Sequence, residues 1–330
     1  MVEPNQIRII SLLPSATEIL CRLGLGKNLV GISHECDFPE NISHLPRLTG
    51  PRINPLKRGG EIHQDLISLL KNSLSIYEVN TELIQSLAPD LIVTQDQCDV
   101  CAVSLKDLEV ALEGLTTLKT KICTLTPHTL DDIVKDILRL GKATNRDSAA
   151  EDLVTEFWIR LNSVNAKVGT DRPNRPRVLC LEWLEPLMVG GGWIPEIVTL
   201  AGAEPLIVST PEKFRTLTWQ EIYDCSPDIV VIFPCGYSIS KTLSEIKSPE
   251  ILSRLSLLSA FKNGKVFIGD GNQFFNRPGP RITDSCEILA GLFYPEKFPK
   301  FFTGHEGLSF TNLKDHVETL LGFPNPEFSK

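Results

Sequence analysis

Two stretches of this chain carry nearly the same message, and a chain that repeats itself in this way folds as two related halves. Residues 82–94 read ELIQSLAPDLIVT, and residues 220–232 read QEIYDCSPDIVVI. Each is a short helix-like run, then a small residue, Pro-Asp and a β-rich apolar run. Pro89-Asp90 falls on Pro227-Asp228. Proline ends the helix before it because it lacks an N–H and crowds the preceding turn. A second pair flanks the first. Glu18-Ile19 precedes Gly24 within TEILCRLGLGKNLVGIS, and Glu196-Ile197 precedes Gly202 at the same spacing within PEIVTLAGAEPLIVS. Self-similarity of this kind predicts two α/β lobes with a ligand in the crevice between them.

Apolar runs between turn signals predict strands at 8–12, 29–33, 91–94, 121–125, 177–181, 205–208, 229–233 and 265–269. Helical spacing alternates with them at 16–23, 81–87, 103–112 and 281–292. The alternation predicts two Rossmann-like lobes with parallel sheets. Residues 129–168 keep helical spacing with a polar break near 144–148, and Thr129 with Asp132 resembles a helix start. The expected division is a first lobe over 1–126, a long rigid connecting helix over 127–170, a second lobe over 171–294 and a tail over 295–330. Two separate helices packed on one lobe are the alternative for the connector. The first lobe is the longer one. Its extra residues include the basic, Pro- and Gly-rich loop 47–60 and a helical run over 61–70.

Bulk properties narrow the partners. A net charge of −8 over 330 residues does not suggest nucleic acid or an acidic membrane surface. No apolar run reaches the ~18 residues needed to span a bilayer. The N-terminus as written carries no secretory signal, and nine cysteines is an odd number. Both features predict a cytoplasmic protein, or an extracytoplasmic one if a signal has been removed.

In open parallel sheets, ligands meet the loops at the carboxyl ends of strands. Those loops are 13–15, 34–37, 95–101 and 126–128 in the first lobe. In the second they are 182–185, 209–213, 234–237 and 270–275. They supply the expected ligand contacts: Ser15, His34, Glu35, Gln95, Asp96, Trp183, Trp193, Tyr237, Asn272 and Phe275. Aromatic faces there suit a large flat ligand, whereas Trp158 and Trp219 lie in helical runs and read as core. Cys98-Asp99-Val100-Cys101 places two thiols at a spacing that grips a zinc-like ion, closes a redox loop or simply packs. His34 and Cys36 are the residues that would complete a metal set with Cys98 and Cys101. The Gly190–Gly192 triplet is not a phosphate loop, since no Gly-Lys-Ser/Thr follows. No hydrolase signature is present, and an enzyme is not expected.

The opening RIISLLPSATEILCRLGLGKNLVGIS, the block APDLIV at 88–93 and the late turn FNRPGPR at 275–281 carry a family likeness. Together they resemble the vitamin B12- and iron-siderophore-binding proteins of ABC importers, closest to the cobalamin-binding branch. The likeness covers about residues 8 to 294. It implies a helical-backbone metal receptor that holds a cobalamin-like corrinoid or siderophore between its lobes as a monomer. Where B12-binding relatives tend to have aromatics, this chain has His34-Glu35-Cys36; His34 is a candidate axial ligand to the metal of a cobalamin or haem-like chelate, the alternative being a loop histidine that only hydrogen-bonds. The likeness also implies surface carboxylates docking on an ABC permease, with Glu78, Glu82, Glu212 and Glu221 as candidates. The alternative is a cytosolic carrier or sensor of a metal or cofactor, acting through Cys36, Cys98 and Cys101 without a permease.

Overall fold

A computed structural model describes residues 6–71, 77–95, 120–169, 175–208, 210, 215–301 and 309–316. The chain divides into two compact units. The first comprises Met1–Lys57 and Glu61–Phe157, and the second Arg58–Gly60 and Trp158–Lys330.

The first unit runs β1 (Ile9–Ser11), α1 (Pro14–Arg22), β2 (Leu29–Ile32), β3 (Thr49–Pro51), α2 (Gly59–Lys71, of which the part from Glu61 counts with this unit) and β4 (Tyr77–Val79). It continues through α3 (Thr81–Leu87), β5 (Leu91–Gln95), β6 (Lys121–Leu125), α4 (Leu130–Ala143) and the first half of α5 (Asp147–Val168). Its main sheet is parallel, in the order β2-β1-β5-β6, and β3 pairs with β4 as a separate antiparallel ribbon. Strands β1, β2 and β5 are buried along their whole length, which is why they read as unbroken apolar runs. Ile10, Leu12, Val30, Leu48, Ile84 and Ile92 form one core cluster of this unit.

The second unit runs β7 (Arg177–Leu184), β8 (Leu187–Val189), α6 (Ile194–Leu200), β9 (Glu204–Pro205), β10 (Arg215–Thr216) and α7 (Trp219–Cys225). Then come β11 (Ile229–Ile232), α8 (Ile239–Ile246), α9 (Pro249–Ser256), α10 (Ser259–Lys262), β12 (Val266–Gly269), α11 (Ile282–Phe293) and β13 (Phe310–Asn312). Its parallel strands follow the order β9-β7-β11-β12, which is the order β2-β1-β5-β6 over again. Antiparallel β8, β10 and β13 flank this parallel core. The expected strand over 205–208 shrinks to β9, because Ile207 takes a positive φ of 77° and turns the chain away.

The repeated sequence builds the same local device twice. Helix α3 ends at Ala88 (φ 41°), α7 ends at Ser226 (φ 43°), and both caps are left-handed. Pro-Asp follows each. The Arg8 N–H donates to Asp90 Oδ2 at 2.8 Å, and the Arg177 N–H donates to Asp228 Oδ2 at 2.8 Å. The return bonds, Asp90 N–H to Arg8 O and Asp228 N–H to Arg177 O, are both 2.9 Å. Each aspartate thus ties the start of its own strand to the start of the unit's first strand. The flanking glycines are also matched. Gly24 (φ 79°) and Gly202 (φ 94°) close Schellman turns, with Leu25 N–H on Leu20 O (2.9 Å) and Ala203 N–H on Val198 O (3.0 Å).

The expected connector is two helices. Thr129 Oγ1 caps α4 by accepting from Asp132 N–H at 3.2 Å. The break falls at 144–146, where Asn145 is left-handed. Helix α5 then buries Ala150, Leu153, Phe157, Leu161, Val164 and Val168 along one face. Its first half belongs to the first unit and its second half to the second. In the second unit Arg160 reaches α11, pairing with Asp284 at 2.5 Å and Glu287 at 2.7 Å.

The paired glycines make a test. Alanine at either position takes on left-handed strain of about 1–2 kcal/mol. A Cβ at 24 meets nothing within 4 Å, whereas one at 202 stands 2.3 Å from Val168 Cγ1. Gly24→Ala is therefore expected to cost about 1–2 kcal/mol, and Gly202→Ala about 2–4 kcal/mol once overpacking is added. Equal losses in urea unfolding would refute this account.

Candidate functional site

In both units the chain leaves the first strand to one side and returns on the other. The carboxyl ends of β1 and β5, and of β7 and β11, are therefore switch points where side chains from several loops meet. Each unit presents one cluster there.

The first unit's cluster centres on His34, which follows β2. Ser33 Oγ and Thr49 Oγ1 are 3.0 Å apart, and the His34 N–H donates to Thr49 Oγ1 at 3.0 Å. His34 Nδ1 lies 2.7 Å from the same hydroxyl. The two hydroxyls and the ring nitrogen form one chain of hydrogen bonds that can run in either direction. In one tautomer Nδ1–H donates to Thr49, the Thr49 hydroxyl donates to Ser33 and the lone pair lies on Nε2; in the other, Ser33 donates to Thr49, Thr49 donates to Nδ1 and Nε2 carries the proton. The His34 ring leans on Tyr77 with centroids 5.3 Å apart, and the Tyr77 hydroxyl donates to Glu35 Oε1 at 3.0 Å. Arg47 holds the loop by donating to Ser33 O (3.0 Å) and to Cys36 O. Burial first, and the Arg47 charge second, hold the His34 imidazole below the usual histidine range, so it is neutral at pH 7. Ser15 and Gln95 stand at the neighbouring strand ends but are only 3% and 6% exposed.

The second unit's cluster centres on Trp183 and Tyr237, whose rings lie 5.1 Å apart. The Trp183 indole N–H donates to Glu185 O at 3.0 Å. The loops after β11 and β12 are laced together, with Asn272 N–H donating to Tyr237 O at 3.0 Å. Gly271 is required there, because a Cβ would fall 2.1 Å from Pro234 O. Asp270 Oδ1 gathers the N–H groups of Asn272 (3.0 Å) and Gln273 (2.8 Å). Two nearly buried arginines of the late turn join them. Arg277 donates to Asn272 Oδ1 and Arg281 to Gln273 Oε1, both at 3.3 Å.

Three expected contacts are placed elsewhere. Phe275 is fully buried, stacked on Phe233 at 4.4 Å, and its carbonyl accepts from the Trp193 indole N–H at 2.7 Å. Trp193 and Phe275 therefore brace the second unit from inside and present no face to a ligand. Cys36 is fully buried with its Sγ 3.1 Å from Thr17 Oγ1, which suits a packed thiol and not a metal ligand. Asp96, Cys98 and Cys101 lie outside the described residues, as does Glu212. Among the described residues no group of three or more His, Cys, Asp or Glu is arranged to hold a metal ion. Glu221 is committed to the capping box of α7 and to Arg215, 2.9 Å away. The sequence reading missed Arg47, Thr49 and Tyr77, which come from the inserted segment, and Glu245 on α8. A cavity of about 370 Å³ in the first unit involves Leu91, Lys121 and Arg139. It opens at the amino ends of β5 and β6, away from the cluster.

Comparison with known proteins adds a family. The family model described as "Periplasmic binding protein" matches residues 9–272. The chain is 23% identical over 298 residues to the ABC transporter substrate-binding lipoprotein YvrC of Bacillus subtilis, covering 88% of this chain and 81% of that one. It is 24% identical over 290 residues to a vitamin B12-binding protein of Vibrio parahaemolyticus, covering 86% of this chain and 90% of that one. Among solved structures, a periplasmic heme binding protein from Pseudomonas aeruginosa superposes with a TM-score of 0.65 at 19% identity, covering 87% of this chain and 92% of that one. Among the described residues no helix is long and apolar enough to cross a membrane.

The His34 environment is testable by titration. Its folded pKa is depressed below the unfolded value of about 6.5. The stability it contributes is thus present above that pH and lost as pH falls toward the folded pKa. Imidazole NMR is expected to show His34 titrating below the ordinary value, and Arg47→Met is expected to move it up. A His34 that titrates at or above the ordinary value would contradict the placement.

Proposed function

As the chain belongs to the periplasmic binding protein family, we propose that it captures a bulky metal chelate of the corrinoid or haem class and delivers it to an ABC permease. Its role is binding and not catalysis. It is the substrate-binding component of an importer, so no bond is made or broken on it. The observation that carries the ligand class is His34. It is a half-buried, neutral imidazole at a strand end, with Nδ1 engaged by Thr49, and in the tautomer protonated at Nδ1 its Nε2 is a ligating nitrogen. Beside it in the same unit stands the Tyr77 ring, and the second unit's own strand-end cluster carries the Trp183 ring. A flat chelate needs area for affinity and a small number of polar groups for orientation.

The names of the relatives support this reading, since one is a vitamin B12-binding protein and another a heme-binding protein. They support a location outside the cytoplasm as well, one relative being a lipoprotein and another periplasmic. Nothing in them favours the cytoplasmic expectation or the cysteine-based carrier.

Titration of the purified protein with aquocobalamin and with haemin tests the proposal. Quenching of tryptophan fluorescence is expected with a Kd of about 1 μM or tighter for at least one of them. A shift of the chelate's visible absorption is expected when an imidazole enters the metal's coordination shell. His34→Ala should abolish that shift and weaken binding about tenfold. Unchanged spectra with both chelates would count against His34 as the ligating group.

A further inference from the structure

Tyr237 carries a feature that packing does not explain. The residue is only 6% exposed, with its ring against Trp183 and the Lys241 ammonium 5.2 Å from the ring centroid. Its hydroxyl is buried and has no hydrogen-bond partner among the described residues. A buried hydroxyl without a partner destabilises the fold, and a phenylalanine would fill the same space without that cost. Burial, and then the charge of Glu245, push the Tyr237 pKa up, so the group stays a donor throughout the physiological range.

Glu245, nearly buried on α8, is the neighbour that shows what is recognised. Its Oε1 accepts from Lys241 Nζ at 3.0 Å, and its Oε2 accepts from the backbone N–H of Gly59 at 3.0 Å. Gly59 belongs to the tripeptide Arg58–Gly60, which counts with the second unit although the residues on either side of it count with the first. It lies against Trp183, where a Cβ would come 3.6 Å from the indole Nε1. An amide N–H therefore rests on a carboxylate whose charge also reaches Tyr237, and the Tyr237 hydroxyl lacks an acceptor among the described residues. That is the imprint of a carboxamide, whose N–H₂ suits Glu245 and whose C=O suits Tyr237.

We propose that Tyr237 and Glu245 form a subsite for a carboxamide arm of the ligand, a place that the Gly59 amide takes in this structure, and that the subsite selects amidated chelates over carboxylated ones. A carboxylate arm has no N–H to give Glu245, whose charge Lys241 already balances, so discrimination comes from the hydrogen bond that only the amide can donate. The inference rests on the metal-chelate reading and narrows it to ligands whose rim carries primary amides.

Cyanocobalamin, rich in carboxamides, and haemin, which carries two carboxylates, serve as probes. Affinities are read by tryptophan fluorescence, and melting temperature is read without ligand. Tyr237→Phe is expected to weaken cyanocobalamin about 3- to 10-fold. Haemin should stay within about twofold, and the melting temperature should hold or rise. Glu245→Gln should narrow the preference between the two probes. Tyr237→Phe protein that binds cyanocobalamin as wild type does, or that loses melting temperature and affinity for both probes alike, overturns the subsite. Wild type that prefers haemin also overturns it, while leaving the chelate reading in place. Wild type that takes up neither probe removes both.

Discussion

Everything in this fold depends on solving one backbone problem twice. A helix must stop and a buried strand must start within about three residues, and no polar backbone group can be left unpaired. The left-handed caps at Ala88 and Ser226, each followed by Pro-Asp, turn the chain and end the helix. The aspartate side chain then receives the N–H that opens the unit's first strand. These contacts fix where β5 lies beside β1 and where β11 lies beside β7. The switch points, and so the loops that carry chemistry, are set by those two pairings.

The repeat was legible in the sequence because it is local. Helix, cap, Pro-Asp and strand are contiguous, and their residue types follow from backbone physics. What escaped was non-local. Strands β3, β8 and β10 are two or three residues long and hold only because a partner strand is present. The residues of β9 looked like a full strand, yet Ile207 takes a conformation that apolar patterning does not encode.

The clusters were legible to the extent that strand ends reveal them. His34, Trp183 and Tyr237 follow or finish predicted strands, and they stand where that rule puts them. Trp193 and Phe275 sit on equivalent loops but turn inward, since the stack of Phe275 on Phe233 cannot be foreseen without the fold. Thr49, which hydrogen-bonds the His34 ring, comes from the inserted ribbon. Glu245 comes from a helix that carried no motif. Side chains brought in from other elements leave no spacing to read.

Strand β13 has a consequence for how the protein is made. It covers the open edge of β12, pairing Gly269 with Phe310 and Phe267 with Asn312, and Asn312 further ties to Gly264 O at 2.8 Å. It is also the last strand described. During vectorial synthesis the edge beside Phe267 waits bare until Asn312 has emerged, more than forty residues later, and a bare edge invites pairing with other chains.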